Sequence, residues 1–372
     1  MRLETKVLIV GGGPAGATAG RVLAASGVDC IILEKNPQGA KPCGGGIPFG
    51  AFEVFQLPLS VIKRRVNVIR VSPPKSSPFE IRFENGYIGM VERREFDSVL
   101  RDMARAEGAA VMKGAFVKIR ECGKTAVLSE AEIEGQTMEV RSEYLLAADG
   151  VNSRVRSSLG MKHINSLYTL GVKLPLDGNP FRGNCCEFYF DASARGGYSW
   201  IFPGASNVSA GTGSTNPKKL KAGLQRLLLQ KGFPPDFQTN SLRGYRIPLW
   251  EQQSLVRGNV LFAGDSASHV MPFTFEGIYY AMRAAQFAAE ALIQGNPGLY
   301  RKLWRQRFRA RFLLMKTLWT AFLRNERGME TLLSAFRDER VQQRGIRLWL
   351  DKTEGRGSFV SFVNALRKYV LF

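Results

Sequence analysis

Histidine and cysteine are scarce in this sequence, and neither is arranged for metal or crosslinking chemistry. The 372 residues contain two histidines, His163 and His269, and no H-E-x-x-H string, which argues against a metal enzyme. The five cysteines, Cys30, Cys43, Cys122, Cys185 and Cys186, are odd in number and lack a C-x-x-C spacing. They form neither a disulfide framework nor a zinc site, and a reducing, cytoplasmic setting is the simplest expectation. No run of 18 or more uncharged apolar residues occurs, so no membrane span is expected. Acidic residues are also short: 32 Asp and Glu stand against 52 Lys and Arg, a net charge of +20. Such an excess calls for an anionic partner, whether a membrane surface, a nucleic acid or a phosphorylated substrate. From Leu299 to Phe372, 17 Lys and Arg face 6 Asp and Glu, so over half of the excess sits in the last fifth of the chain. No nucleic-acid reader motif accompanies it, and no nucleic-acid partner is expected. With 45% hydrophobic residues the chain can bury one large core or two smaller ones, and two domains are expected.

Glycine, by contrast, is plentiful and carries the strongest signal. Lys6 to Val10 is a short apolar run, Gly11 to Gly16 reads Gly-Gly-Gly-Pro-Ala-Gly, an Ala-rich segment reaches Gly27, and Asp29 to Glu34 is a second apolar run ending in an acid. This predicts a βαβ unit of about 30 residues. Gly11 suits a tight turn, Gly13 a close approach to a pyrophosphate, and Gly16 the packing of helix on strand. The phosphates would rest on the helix N-terminus beside Pro14 and Ala15, and Glu34 would accept hydrogen bonds from an adenosine ribose. Because this first core strand begins within a few residues of Met1, no leader peptide is expected.

Further along, Lys41-Pro-Cys-Gly-Gly-Gly46 is a loop that either turns a corner or lets a planar ligand lie on the main chain. Strands are expected at 66–71 and 79–83, and a helix at 92–107 with Phe96, Leu100, Met103 and Ala104 inward. Three short strands follow, near 109–119, 125–129 and 138–140. A buried run from Tyr144 leads into Asp149-Gly150 and a helix start capped by Asn152 or Ser153; alone this could be an ordinary turn. Residues 167–255 change texture, with aromatic strands at 187–191 and 198–203 and one helix near 220–230, and read as a mostly antiparallel insert. Val260 to Gly264-Asp265 is another core strand, and a long helix spans 278–294. Asp265 at a strand end facing that helix suits a ribityl polyol, or else serves as a helix cap.

Taken together, Gly11 to Gly16, Glu34, Arg93 ahead of Phe96-Asp97, Asp149-Gly150 and Gly264-Asp265 resemble a flavoprotein of the p-hydroxybenzoate hydroxylase fold. A single glycine finger fits one resident FAD with a visiting nicotinamide. Lys41-Pro-Cys-Gly-Gly45, Tyr198-Ser-Trp200-Ile-Phe202-Pro203 with Gly211-Thr-Gly213, and Glu276-Gly-Ile-Tyr279 further resemble the geranylgeranyl reductase family, especially the branch that reduces the geranylgeranyl tail for chlorophyll. The resemblance covers nearly the whole chain. It implies an α/β fold: a Rossmann-type FAD domain (1–160 and 256–298), an inserted, mostly antiparallel substrate domain (161–255, joined by part of 45–92) and a basic helical region (299–372). It implies that Gly11, Gly13, Pro14, Ala15, Gly16, Glu34, Lys35, Cys43, Gly44, Arg93, Asp149, Gly264, Asp265, Gly277 and Ile278 hold FAD. Phe190, Trp200 and Phe202 would line a prenyl pocket, and Cys43, Tyr198 and Glu276 would be the catalytic candidates. The implied reaction is reduction of prenyl C=C bonds with electrons from NADPH or reduced ferredoxin. A flavin monooxygenase on the same fold and a non-enzymatic prenyl-lipid carrier are the competing readings. The chain departs from the family pattern at Gly204, where Lys is common after Phe-Pro, and at Met271 to Phe275, where a more polar, glycine-containing stretch is usual.

In the tail, Trp304, Phe308, Phe312, Met315, Trp319 and Phe322 recur on one helical face, amid Arg301, Lys302, Arg305, Arg307, Arg309 and Arg311. Two readings fit. Either the helix lies on an anionic bilayer and holds the protein peripherally, or the aromatic face packs on the protein and the arginines are solvated.

Overall fold

A computed structural model describes residues 2–39, 41–176, 181, 183–234, 241–352 and 356–370. Parts of the expected ranges 161–255 and 299–372, namely 177–180, 182, 235–240, 353–355 and 371–372, lie outside the described residues. The chain begins β1 (Arg2–Val10), α1 (Pro14–Ala25), β2 (Cys30–Glu34), β3 (Gly46–Pro48), α2 (Phe49–Val54), β4 (Ile62–Val66), β5 (Val68–Ser72), β6 (Phe79–Arg82), β7 (Ile88–Val91) and α3 (Arg93–Ala106). It continues through β8 (Ala110–Cys122), β9 (Val127–Ile133), β10 (Gln136–Ala147), α4 (Arg154–Ser158), β11 (Ser166–Pro175), β12 (Cys186–Tyr189), β13 (Ser199–Pro203), β14 (Asn207–Ser214), α5 (Leu220–Gln230) and β15 (Arg243–Pro248). It ends with β16 (Val256–Arg257), β17 (Val260–Phe262), α6 (Ile278–Ile293), α7 (Pro297–Phe322), α8 (Glu326–Ala335), α9 (Glu339–Ile346) and α10 (Arg356–Val370).

Two compact units divide the chain. The first is 1–40, 94–166 and 247–314; the second is 41–93, 167–246 and 315–372. The tail expected as a separate region is thus shared between them, with the cut inside α7.

In the first unit, β1 lies parallel to β2 on one side and to β10 on the other, while β2 continues to β8 and β10 to β17, all parallel. The chain reverses its direction of travel across the sheet between β1 and β10, so the carboxyl ends of these two strands flank the crevice where open α/β sheets bind ligands. The strands β8, β9 and β10 also form an antiparallel meander. Met138–Val140 and Tyr144–Ala147, expected as separate strands, are one strand. The polar residues between them do not break it, because Arg141 and Glu143 point to solvent while Ser142 alternates inward. The strand expected at 66–71 is instead two, since Val66 closes β4 on β7 and Val68 opens β5 on β6.

The second unit holds a seven-stranded sheet in the order β15-β11-β14-β13-β12-β5-β6 and a three-stranded sheet β3-β7-β4. From β11 through β14 and β13 to β12 the larger sheet is antiparallel, β12 runs parallel to β5, and β5 is antiparallel to β6. One of its faces packs on α5: Val172, Leu174, Ile201, Val208 and Ala210 form a core with Leu224, Leu227, Leu228 and Phe233.

The aromatic stripe of α7 is interior. Trp304, Phe308, Phe312 and Met315 are buried, with Trp304 4.8 Å from Phe308 and Tyr280 5.1 Å from Phe312 between ring centroids. Trp319 donates its indole N–H to Gly196 O at 2.7 Å. The bilayer-facing reading of this face is therefore corrected. Burying several large rings against the protein removes far more apolar area from water than a solvent-facing helix could leave exposed.

His269 follows β17 and is wholly buried, stacked on Trp304 with centroids 3.8 Å apart. Among the described residues neither ring nitrogen has a hydrogen-bond partner, and burial holds its pKa down to about 3. Below the ordinary value of 6.5 the unfolded chain takes up a proton that the folded one refuses. The folded state is thus favoured above that value and loses stability as pH falls toward 3, at up to about 1.4 kcal/mol per pH unit. Denaturant unfolding between pH 7.5 and 5.5 should show this slope and should show it flattened in His269→Phe; equal slopes in the two proteins would contradict the assignment.

Candidate functional site

The site of the first unit is built on three strand ends. After β1, Gly11 takes a φ of +100° that side chains other than glycine rarely adopt. A β-carbon there would stand 2.4 Å from Ala148 O, and one on Gly16 would stand 1.8 Å from Gly11 O. The turn is thus pressed between the Asp149 turn and the first turn of α1. At Gly13, the N-cap residue, a β-carbon would meet nothing within 4 Å. Pro14 opens α1, Ala15 is buried behind it, and no acid in the first turn neutralises the helix N-terminus. An open cradle over unopposed amides is what a pyrophosphate requires.

Glu34, at the end of β2, accepts Gly12 N–H and Asn36 N–H, both at 2.8 Å. Lys35 beside it is exposed. Behind the glycine turn lies Arg101 of α3, buried, donating to Gly12 O at 3.2 Å and Pro37 O at 2.8 Å. Sequence reasoning missed Arg101. Its signal was a cation flanking the inward stripe of Phe96, Leu100 and Ala104.

The ends of β10 and β17 carry the acids. Asp149 Oδ2 accepts Val155 N–H at 3.2 Å, and burial raises its pKa against the hydrogen bonds that lower it. Ser153, one of the two expected caps, accepts Arg156 N–H at the start of α4. Gly264, with φ +67°, lies where a β-carbon would touch both Ala15 of α1 and Ala281 of α6. Asp265 Oδ1 faces Gly277, just before Ile278 opens α6. Buried Arg156 donates to Ser266 O at 3.3 Å, and Ser266 Oγ donates to Ala147 O at 2.7 Å and Ala263 O at 2.8 Å. These ties were also unread in the sequence. They brace the Asp149 turn against the Asp265 turn. The residues expected to hold a dinucleotide in this unit therefore converge at the sheet's switch point, and they fit FAD.

Glu276 directly precedes Gly277, the residue that Asp265 Oδ1 faces. Its charge, with burial as the larger cause, helps hold the Tyr280 phenol protonated, and Arg311 opposes it. The segment before it departs from ordinary backbone: Phe273 and Phe275 have φ of +83° and +54°. Such left-handed conformations cost a phenylalanine about 1–3 kcal/mol each.

In the second unit, Tyr198, just before β13, and Trp200 and Phe202 of β13 share one face of the sheet with Phe188 of β12 and Phe190 just after it. Phe188 lies 5.1 Å from Tyr198 and 5.0 Å from Phe202, and Phe190 lies 5.8 Å from Tyr198. Trp200 leans over Gly211, where a β-carbon would be 2.2 Å from its ring. The loop 41–46 lies on this face: Cys43 O accepts Ser209 Oγ at 3.5 Å, and Gly44 abuts the Phe202 ring. Cys43 Sγ accepts Gly45 N–H at 3.4 Å. Arg93 is buried at the end of the segment 41–93. Cys43, Gly44, Tyr198, Trp200 and Phe202 are thus brought together, with Phe190 at their edge.

A family described as the FAD binding domain matches residues 4–57 and 62–296. The geranylgeranyl diphosphate reductase of Rhodobacter capsulatus is 29% identical over 362 residues, covering 94% of this chain and 92% of that protein. The digeranylgeranylglycerophospholipid reductase of Thermoplasma volcanium is 30% identical, covering 82% of this chain and 85% of that protein. Among solved structures, a geranylgeranyl bacteriochlorophyll reductase-like protein of Thermoplasma acidophilum superposes with a TM-score of 0.85 at 22% identity, covering 99% of this chain and 97% of that one. That likeness establishes the shared fold.

The two glycines should separate when replaced. Gly16→Ala drives a methyl into Gly11 O and should cost about 3 kcal/mol of stability. Gly13→Ala has room and should change apoprotein stability by less than about 1 kcal/mol, while FAD affinity, read by flavin fluorescence titration, falls at least about tenfold. Unchanged FAD affinity in Gly13→Ala would remove the pyrophosphate from this turn.

Proposed function

The chain belongs to the geranylgeranyl reductase family of proteins with an FAD binding domain, and on that premise we propose that it saturates C=C bonds of a geranylgeranyl or related polyprenyl group. The protein is an FAD-dependent oxidoreductase. The observation that carries the prenyl reading is the aromatic face of Tyr198, Trp200, Phe202 and Phe188 over a glycine-lined sheet. Such a surface suits a flexible apolar chain better than a small polar aromatic.

An isolated trisubstituted alkene is a poor hydride acceptor. It needs a hydride at one carbon, a proton at the next and a dry, aligned geometry. Reduced FAD, when bound, supplies the hydride. The aromatic face would align the chain and exclude water. Of the proton-donor candidates, Tyr198 stands on that face, Cys43 lies in the loop covering it, and Glu276 lies beside Tyr280 and Arg311. This favours Tyr198, with Cys43 second. Its single glycine finger supports a visiting electron donor, NADPH or reduced ferredoxin.

Among the described residues no helix is long and apolar enough to cross a membrane. Peripheral association would run through the exposed cations Arg301, Lys302, Arg305 and Arg309 of α7, each worth about 1 kcal/mol near an anionic surface.

Two measurements test these readings. Mass spectrometry of the product from geranylgeranyl diphosphate, under anaerobic NADPH or photoreduced ferredoxin, should show gain of two hydrogens per step. In Tyr198→Phe the rate should fall at least about 100-fold with FAD content retained. Gain of one oxygen under air would move the protein to the monooxygenases. Co-sedimentation with anionic vesicles should occur at low salt and fade at high salt, and binding indifferent to lipid charge would exclude the arginine row.

A further inference from the structure

Side chains alternate along each strand, which sorts the larger sheet of the second unit into two faces. Leu170, Val172 and Leu174 of β11 lie on the side that packs against α5, so Thr169, Gly171 and Lys173 face the other way. On β14 Val208 and Ala210 join that core, which leaves Ser209, Gly211 and Gly213 on the aromatic side. At the edge strand β15, the Arg246 guanidinium stands 5.9 Å from the ring of Tyr168. Tyr168 shares the side of Leu170, so Arg246 is on the helix side. Arg243 and Tyr245 are therefore on the aromatic side.

Lys41 completes this face. Its Nζ lies 4.1 Å from the centroid of the Tyr245 ring, while Cys43 and Gly44 reach Ser209 and Phe202. Residues 41–44 thus run across the sheet from β15 to β13. The face changes character along that line: aromatic rings at β12 and β13; glycines with Ser209, Thr169 and a Lys173 paired to Glu92 at β14 and β11; and, at β15, Arg243 and the loop's Lys41 over Tyr245. Three strand spacings, about 14 Å, separate the rings from the cations. An apolar surface closed at one end by positive charge matches an amphiphile with an apolar tail and an anionic head.

We propose that Lys41, with Arg243 on the same face two residues before Tyr245, receives the phosphate-bearing head of the substrate whose prenyl tail lies on Tyr198, Trp200 and Phe202. The inference rests on the prenyl reading above and adds the chemistry of the other end. The Tyr245 ring holds the ammonium by its negative face and so limits its motion. A lysine point charge suits a phosphate that must leave with the product. Both a free prenyl diphosphate and a prenyl-ether lipid phosphate present this chemistry.

The test measures equilibrium binding to the oxidised, FAD-loaded full chain, without reductant, by calorimetry. The ligands are geranylgeranyl diphosphate, digeranylgeranylglyceryl phosphate in neutral micelles, and uncharged geranylgeraniol. In Lys41→Met, with FAD content and melting temperature as wild type, the dissociation constant of a phosphorylated ligand should rise about tenfold and that of geranylgeraniol should not change. Lys41→Arg should keep most of the affinity, and the Lys41→Met defect should shrink in high salt. A loss confined to the diphosphate assigns the free head group, and a loss confined to the lipid phosphate assigns the lipid. Equal weakening of charged and uncharged ligands, or no weakening of any, overturns the proposal and leaves the prenyl reading standing. Should Lys41→Met fail to fold, Arg243→Gln carries the same comparison. If the wild-type protein binds none of the three ligands, the prenyl reading itself fails.

Discussion

The close approach of backbone to backbone at Gly16 is the contact on which the first unit depends. With a β-carbon 1.8 Å from Gly11 O, no other residue can occupy the position without moving α1 off β1. That contact sets the angle at which α1 leaves the sheet, and so where its free amides point. The same closeness recurs at Gly264, wedged between Ala15 and Ala281, so α1, α6 and the end of β17 meet over residues too small to hold them apart. Small side chains give this corner of the unit its shape.

Around that contact, buried cations do the bracing. Arg101 joins the glycine turn to the exit of β2, and Arg156 joins the Asp149 turn to Ser266. Arg101 donates to two backbone carbonyls, and Arg156 to two backbone carbonyls and the Gln253 side-chain oxygen, acceptors that one guanidinium satisfies together. A lysine could not span two loops in the same way.

Aromatic residues serve two unlike purposes in this chain. On α7 they are core, packed on His269, Tyr280 and one another. On β12 and β13 they form a half-buried wall beside glycines. The difference lies in what stands opposite. Residues of α7 face other large side chains, whereas Trp200 faces Gly211 and Gly171, positions that offer backbone and no side chain.

The βαβ unit, the core strands ending at Asp149 and Asp265, the helix at 220–230 and the glycine turn at Gly11 to Gly16 were legible in the sequence because each depends on local pattern: glycine spacing, apolar runs and an acid at a fixed distance. Family resemblance singled out Tyr198, Trp200 and Phe202, whose rings the sheet gathers on one face. The continuity of β10 through Arg141 and Glu143 was not legible, since a strand with one wet side reads as a break when its polar residues cluster. The aromatic stripe of α7 was equally ambiguous, because a helical period records which residues share a face and not what that face meets. Only the tertiary structure placed Arg101 and Arg156, whose partners include carbonyls 64 to 110 residues away along the chain. The same holds for Lys41 over Tyr245, which lie far apart in sequence and meet because strand pairing carries β15 to the sheet's edge beneath the loop. Sequence determined the local conformations and their chemistry; long-range packing decided which of those chemistries face one another.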